Sequence, residues 1–322
     1  MTSAGTKSEK FVTIRELLKV RGKILGLRVV AGAKFLERKI PVSEINRPGL
    51  ALAGHLEQFR SERIQIIGRG EYSYSSHSVP HKLRRVLSRM LAYPDIPCVI
   101  ITGGLKHLKI LKEICLRQRI PLLETSLDTS PFIRELTMFL DDKLAATTYL
   151  HGVLVNVSGL GVLIQGAAGV GKSECALELL KRGHIFIADD MVEAKRRIGY
   201  MLVGSSPKNI KHFMEVRGLG IIDVELLFGV GSIMEQCVIE MQVYLEHVEN
   251  QSGALKQYDR TGLISNEITI LDVPLPSLKI PVTPGRNLAV LIEVAALNQR
   301  LKNQGYFTAK RFNENLIKNL KK

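Results

Sequence analysis

No stretch of this chain is apolar for long enough to cross a bilayer, which excludes a protein built on membrane-spanning helices. The first ten residues lack the apolar core of a secretory signal, so a cytoplasmic location without a membrane partner is expected. Cysteine is scarce. Cys98, Cys115, Cys175 and Cys237 are widely spaced and form no metal-type or redox-type pair, so the thiols read as reduced and packed. Internal repeats and low-complexity segments are missing too, which removes solenoids and fibrous folds from consideration. Acidic residues are in deficit: 31 Asp and Glu face 45 Lys and Arg, a net charge of +14. The basic residues are scattered, with small clusters at 82–85, 195–197 and 318–322, and no nucleic-acid motif accompanies them. A solvated basic surface, or one that attracts acidic protein or phosphate ligands, explains them better than a nucleic-acid partner.

At 322 residues, with 45% hydrophobic and 24% charged residues, the chain has the size of two ordinary domains. Thr13-Ile14-Arg15-Glu16 has capping-box spacing and predicts a short helix. Apolar runs at 27–30, 64–67, 98–101 and 121–123 then alternate with helical patterns at 82–91, 107–117 and 131–144. That order predicts an α/β fold, with an N-terminal βαβ-type domain on a mostly parallel sheet. Thr102-Gly103-Gly104 follows one of those strands and reads as a strand-ending turn before it reads as a ligand loop. Near 141–148 one helix closes and a strand opens, which sets the domains at 1–145 and 146–322. The second is richer in short strands, such as 153–157 and 238–243, and ends in a long helix near 287–302 followed by a basic one.

Gly166-Ala167-Ala168-Gly169-Val170-Gly171-Lys172-Ser173 is the most informative run. It follows a strand-like stretch at 161–165 and precedes a helix-like one at 174–181, the setting that a phosphate-binding loop requires. Its glycines let successive backbone N–H groups turn toward phosphate oxygens at a helix N-terminus. Lys172 is placed to reach β- and γ-phosphates, and the Ser173 hydroxyl to ligate magnesium. Phosphoryl transfer also needs carboxylates for the metal and the acceptor. Ile185-Phe186-Ile187-Ala188-Asp189-Asp190 is a buried-strand run ending in two, one available to the metal and the other to an acceptor hydroxyl. The stretch 215–223 holds Glu215, Arg217 and two glycines, and reads equally as part of the site or as a capped helix end. Tyr258-Asp259-Arg260 and residues 281–286 are turn-like segments bearing an arginine. His151 opens a strand.

These segments, in this order, resemble the HPr kinase/phosphorylase family. The likeness also takes in Arg47-Pro48-Gly49-Leu50, residues 63–68, His151-Gly152-Val153, Arg182-Gly183-His184, Gln257-Tyr258-Asp259-Arg260 and residues 284–289. It implies a phosphate-loop kinase domain distantly similar to phosphoenolpyruvate carboxykinase, using ATP and Mg2+ to phosphorylate a serine of the phosphocarrier protein HPr. In the reverse direction, inorganic phosphate would attack phosphoserine and pyrophosphate would leave. By the same resemblance Asp190 is the base, joined by His151, Lys172 and Arg260, while Ser173 and Glu215 are the magnesium ligands. Residues 215–223 would serve both directions and 281–286 dephosphorylation, in a homohexamer. Two departures stand out. Ala167 and Ala168 replace the family's usual aspartate and serine, which a cradle of backbone N–H groups tolerates. Thr283 stands where the common pattern has arginine. Rival readings are a small-molecule kinase related to the carboxykinases and a nucleotide-sensing regulator without catalysis; no Asn-Lys-x-Asp guanine signature is present.

Overall fold

A computed structural model describes residues 10–106, 109–197, 199–247 and 266–320, and divides the chain into two compact units, Met1–Ala145 and Ala146–Lys322. In the first, strands Arg28–Ala31 (β1), Ile45–Asn46 (β2), Ile64–Ile67 (β3), Val99–Ile101 (β4) and Leu122–Glu124 (β5) form one sheet in the order β1-β5-β4-β3-β2. The last four are parallel neighbours, as the alternating pattern requires. β1 lies antiparallel against β5, an arrangement common at the edge of an otherwise parallel sheet.

Both faces of that sheet are covered, which is why its strands read as continuous apolar runs. Ile64, Ile66, Cys98 and Ile100 pack with helices Ile14–Arg21 (α1) and Thr129–Leu144 (α6). Ile67, Val99 and Ile101 pack with residues of Gly49–Leu52 (α2), Arg69–His77 (α3), Pro80–Met90 (α4) and Lys109–Arg117 (α5). α1 begins as its sequence predicts, with the Thr13 hydroxyl accepting the Glu16 N–H at 3.1 Å. Gln65 is a fully buried polar residue within strand β3. Its amide donates to the carbonyls of Arg60 and Arg63, and its oxygen accepts from Asn46, so burial leaves nothing unpaired there.

In the second unit, Val153–Val157 (β7), Leu160–Gly166 (β8), Ile185–Ala188 (β9), Met241–His247 (β15), Asn266–Ile270 (β16) and Val273–Val282 (β17) form a six-stranded sheet ordered β9-β7-β8-β15-β17-β16. Thr147–His151 (β6), Met191–Arg197 (β10), Met201–Ser205 (β11) and Gln236–Val238 (β14) form a four-stranded sheet ordered β14-β11-β10-β6. A separate hairpin pairs Phe213–Val216 (β12) with Gly220–Asp223 (β13). Side chains alternate along each strand, and β7 and β8 use both faces. Val153, Val155, Val162 and Ile164 meet residues of helices Lys172–Lys181 (α7) and Leu288–Asn303 (α9), whereas Leu154 and Leu163 meet the four-stranded sheet. The sheets approach closely at Gly161, where a Cβ would fall 1.9 Å from the Val238 carbonyl oxygen. α9 starts where the sequence places it, capped by Asn287 accepting the Val290 N–H at 3.0 Å.

Among the described residues no helix is long and apolar enough to cross a membrane. All four cysteines are free and buried, and burial pushes the thiols of Cys115, Cys175 and Cys237 up to about 12.

Candidate active site

Two of the chain's passages between the two sheets of the second unit run side by side. β6 ends at His151 and β7 resumes in the other sheet at Val153; β9 ends at Ala188 and β10 resumes in the first sheet at Met191. His151 therefore closes a strand rather than opening one, because Gly152 turns the chain into the other sheet. At Gly152 a Cβ would sit 2.6 Å from the Ile164 carbonyl oxygen, so only glycine fits the turn. The two passages are bonded together: His151 pairs with Met191 in register, and Gly152 N–H donates to the Asp190 carbonyl at 3.1 Å. Gln165, at the end of β8, donates to the His151 carbonyl at 2.9 Å and ties the turn to the loop that follows.

That loop runs from the end of β8 into α7. Gly169 and Gly171 have φ of 79° and 95°, the left-handed region that glycine enters without strain. At Gly166 a Cβ would fall 2.5 Å from the Leu245 carbonyl oxygen. α7 begins with Gly171 and no side-chain cap, so the orphan N–H groups of its first turn are available to an anion. Lys172 is buried, and its ammonium donates to the carbonyls of Gly166 and Ala167 at 3.2 and 3.1 Å.

The two aspartates part company. Asp189 is 6% exposed; its carboxylate accepts the Ser173 hydroxyl at 3.0 Å and the Glu215 N–H at 3.0 Å. Burial raises its carboxyl above the usual carboxylate value, and those two hydrogen bonds oppose the rise. Asp190 adopts φ 63° and turns outward, where Oδ1 lies 3.0 Å from Nδ1 of His151, with both side chains more than half exposed. One carboxylate thus sits beside the Ser173 hydroxyl, and the other stands free to meet an incoming group.

The stretch 215–223 is a hairpin and not a helix end, since Gly218 and Gly220 take φ of 85° and 91° and let the chain reverse. Asp223 does cap a helix, but the short one that follows, Val224–Phe228 (α8). Met214 and Val216 are buried in the core, which turns Glu215 and Arg217 to the other side. The Arg217 guanidinium lies against the loop, so a Cβ at Gly169 would fall 2.8 Å from its Nη1. Loop, aspartates and hairpin enclose a cavity of about 230 Å³ lined by His151, Lys172, Ser173, Asp189, Asp190, Glu215 and Arg217 among others.

Three further sequence readings remain. Arg260, with Tyr258 and Asp259, is outside the described residues. Residues 281–286 do not line the cavity; there Arg286 N–H closes a turn on the Thr283 carbonyl at 3.3 Å, with Gly285 at φ 78°. The turn at Thr102-Gly103-Gly104 uses its own amides, Gly103 on the Leu127 carbonyl and Gly104 on that of Thr125. Conversely, the contact of Arg217 with the loop and the brace from Gln165 are not readable from spacing. Only a glutamine in an otherwise apolar strand hinted at the last.

The residues present suit a nucleotide and a hard cation. A cradle that side chains would fill, an uncapped helix start and a buried lysine fit phosphates. Among the described residues no three His, Cys, Asp or Glu side chains form a metal cage. Magnesium is typically bound by one or two protein groups together with phosphates and water, and Ser173, Asp189 and Glu215 line the cavity beside the loop.

Two family models match the chain: HPr Serine kinase N terminus over residues 12–140 and HPr Serine kinase C-terminal domain over residues 142–316. Among curated proteins, the HPr kinase/phosphorylase of Geobacter sulfurreducens is 44% identical over 306 residues, 95% of this chain and 94% of that protein. Its counterpart in Lactobacillus johnsonii is 42% identical across 95% of this chain and 93% of its own length. A solved HPr(Ser) kinase/phosphatase from Coxiella burnetii matches 52% of this chain and 99% of its own at 34% identity, with a TM-score of 0.46.

Proposed function

This chain belongs to the HPr serine kinase family, and from that premise we propose that it moves a phosphoryl group from ATP to a serine of HPr and removes it again by phosphorolysis. The observation that carries the reading is the placement, around one cavity, of a phosphate loop and an outward-facing Asp190 braced by His151.

Magnesium-bound ATP would supply the electrophilic γ-phosphorus and neutralise charge on its oxygens. The loop N–H groups and Lys172 would hold the phosphates, and Ser173 and Glu215 would hold the cation with Asp189 beside them. Asp190 takes the proton from the serine hydroxyl as its oxygen bonds to phosphorus and the bridging oxygen leaves with ADP. His151 fixes the orientation of that carboxylate. In reverse, an oxygen of inorganic phosphate attacks phosphoserine, Asp190 returns a proton to the departing serine oxygen, and pyrophosphate leaves. Arg260 is assigned to charge stabilisation by family likeness. Thr283, lacking the family's cation, points to a reverse reaction weak relative to the forward one.

The same reading assigns the enzyme to the cytoplasm, where buried thiols stay reduced. It also assigns a homohexamer. Leu219, Ile221, Leu226 and Val230, each at least 74% exposed, give copies an apolar surface to share, and mass in solution tests this. The functional test incubates the purified protein with magnesium, ATP and HPr, then adds inorganic phosphate. Phosphoserine on HPr followed by pyrophosphate release supports the reading. An unmodified HPr beside a phosphorylated sugar or organic acid would overturn it in favour of a small-molecule kinase.

A further inference from the structure

We propose that His212 is a positioning residue that clasps the base of the β12–β13 hairpin and so sets where Glu215 and Arg217 stand at the phosphate cavity. The clasp rests on geometry; its catalytic consequence rests on the phosphotransfer reading above.

His212 immediately precedes β12 and holds φ at 66°, a conformation that is strained for a residue with a side chain. Such strain persists only where surrounding contacts fix it. Those contacts reach three segments. The His212 carbonyl accepts the Val224 N–H at 2.8 Å, closing the hairpin where β13 passes into α8. Its Nδ1 lies 2.8 Å from Oε2 of Glu225 on α8. Its Nε2, buried and without a hydrogen bond, faces Oε1 of Glu235 at 3.6 Å, in the segment leading to β14. Lys211 also pairs with Glu235 and holds that carboxyl below its usual value. The imidazole therefore bridges the start of the hairpin, the helix after it and the approach to β14.

The hairpin needs such an anchor. Two isolated strands are marginal in water, and at its free end Leu219 and Ile221 are three-quarters exposed. Toward the cavity the Glu215 N–H ties it to Asp189 at 3.0 Å. With the base released, β12 can pivot about that tie, and Glu215 and Arg217 on the same side move together.

The test uses the full chain without nucleotide or metal, following amide hydrogen exchange across residues 213–217, with the Glu215 amide as reporter. His212→Gly is the main variant because glycine accepts the positive φ, so the ring is lost without adding backbone strain. His212→Asn tolerates the same φ and keeps an amide donor. Exchange in the hairpin should rise about tenfold in His212→Gly, the size of one lost hydrogen bond to a charged group, while α7 stays protected. His212→Asn should recover part of the protection. In the HPr assay the glycine variant should lose about tenfold in kcat with KM for HPr within twofold. Wild-type hairpin exchange in His212→Gly overturns the clasp, and loosened exchange with unchanged kcat overturns the positioning role. A wild-type protein inactive on HPr would sink the functional reading and leave the exchange result to decide the clasp.

Discussion

Two glycine-rich turns invite comparison, Thr102-Gly103-Gly104 in the first unit and residues 166–173 in the second. Both follow a buried strand with a parallel neighbour, and both place glycines at positive φ. In the first, Gly103 and Gly104 N–H groups are consumed at 2.7 and 3.0 Å by nearby carbonyls, and the Thr102 hydroxyl meets that of Thr129 at 2.7 Å. In the second, the turn opens directly into an uncapped helix with a buried lysine beneath it. Glycine and positive φ thus mark a turn, whereas unspent donors and a fixed cation make a phosphate site. Net charge does not separate them either. Residues 1–145 carry 25 Lys and Arg against 14 Asp and Glu, and residues 146–322 carry 20 against 17, so the more basic unit is the one without the loop.

Substitutions at the two turns should therefore diverge sharply. The largest effect is expected from Lys172→Ala, which removes the cation beneath the phosphates: transfer to HPr should fall about a hundred- to a thousandfold, read in a steady-state assay. Gly169→Ala should follow, since a Cβ there meets both a left-handed φ and the Arg217 guanidinium; nucleotide affinity by calorimetry should drop about tenfold, which is 1.4 kcal/mol. At the other turn, Gly103→Ala pays only for a positive φ. It should cost about 1 kcal/mol of stability in urea unfolding and leave turnover unchanged. A tenfold loss of activity in that variant would break the contrast. Smallest of all is the difference expected between the units in thiol labelling. Cys115 in the first and Cys175 in the second both have thiols near 12 through burial, so iodoacetamide at mildly alkaline pH should label neither until unfolding exposes them.

Local chemistry was readable where it depends on neighbours in sequence. The strand 64–67 appears at the predicted residues, α1 takes its Thr13 cap, and α9 begins after Asn287. The loop glycines and Lys172 were legible for the same reason. What escaped depends on distant partners. The two parts expected of Asp189 and Asp190 have such a cause, because a positive φ swings the second outward while β12 covers the first. Arg217 meets Gly169 only because the hairpin folds over the loop, a contact that no spacing rule encodes. In sequence His151 reads as a strand start, because Gly152 looks unremarkable until the carbonyl of Ile164 forbids any Cβ there.

The most direct test of the central claim separates holding phosphate from moving it. Asp190→Asn should be measured for nucleotide binding and for single-turnover transfer to HPr in the same preparation. Binding within threefold of wild type, with transfer slowed a hundredfold or more, is the expected result for a lost proton acceptor. Transfer at the wild-type rate would contradict the assignment of Asp190 and, with it, the account of how this cavity works.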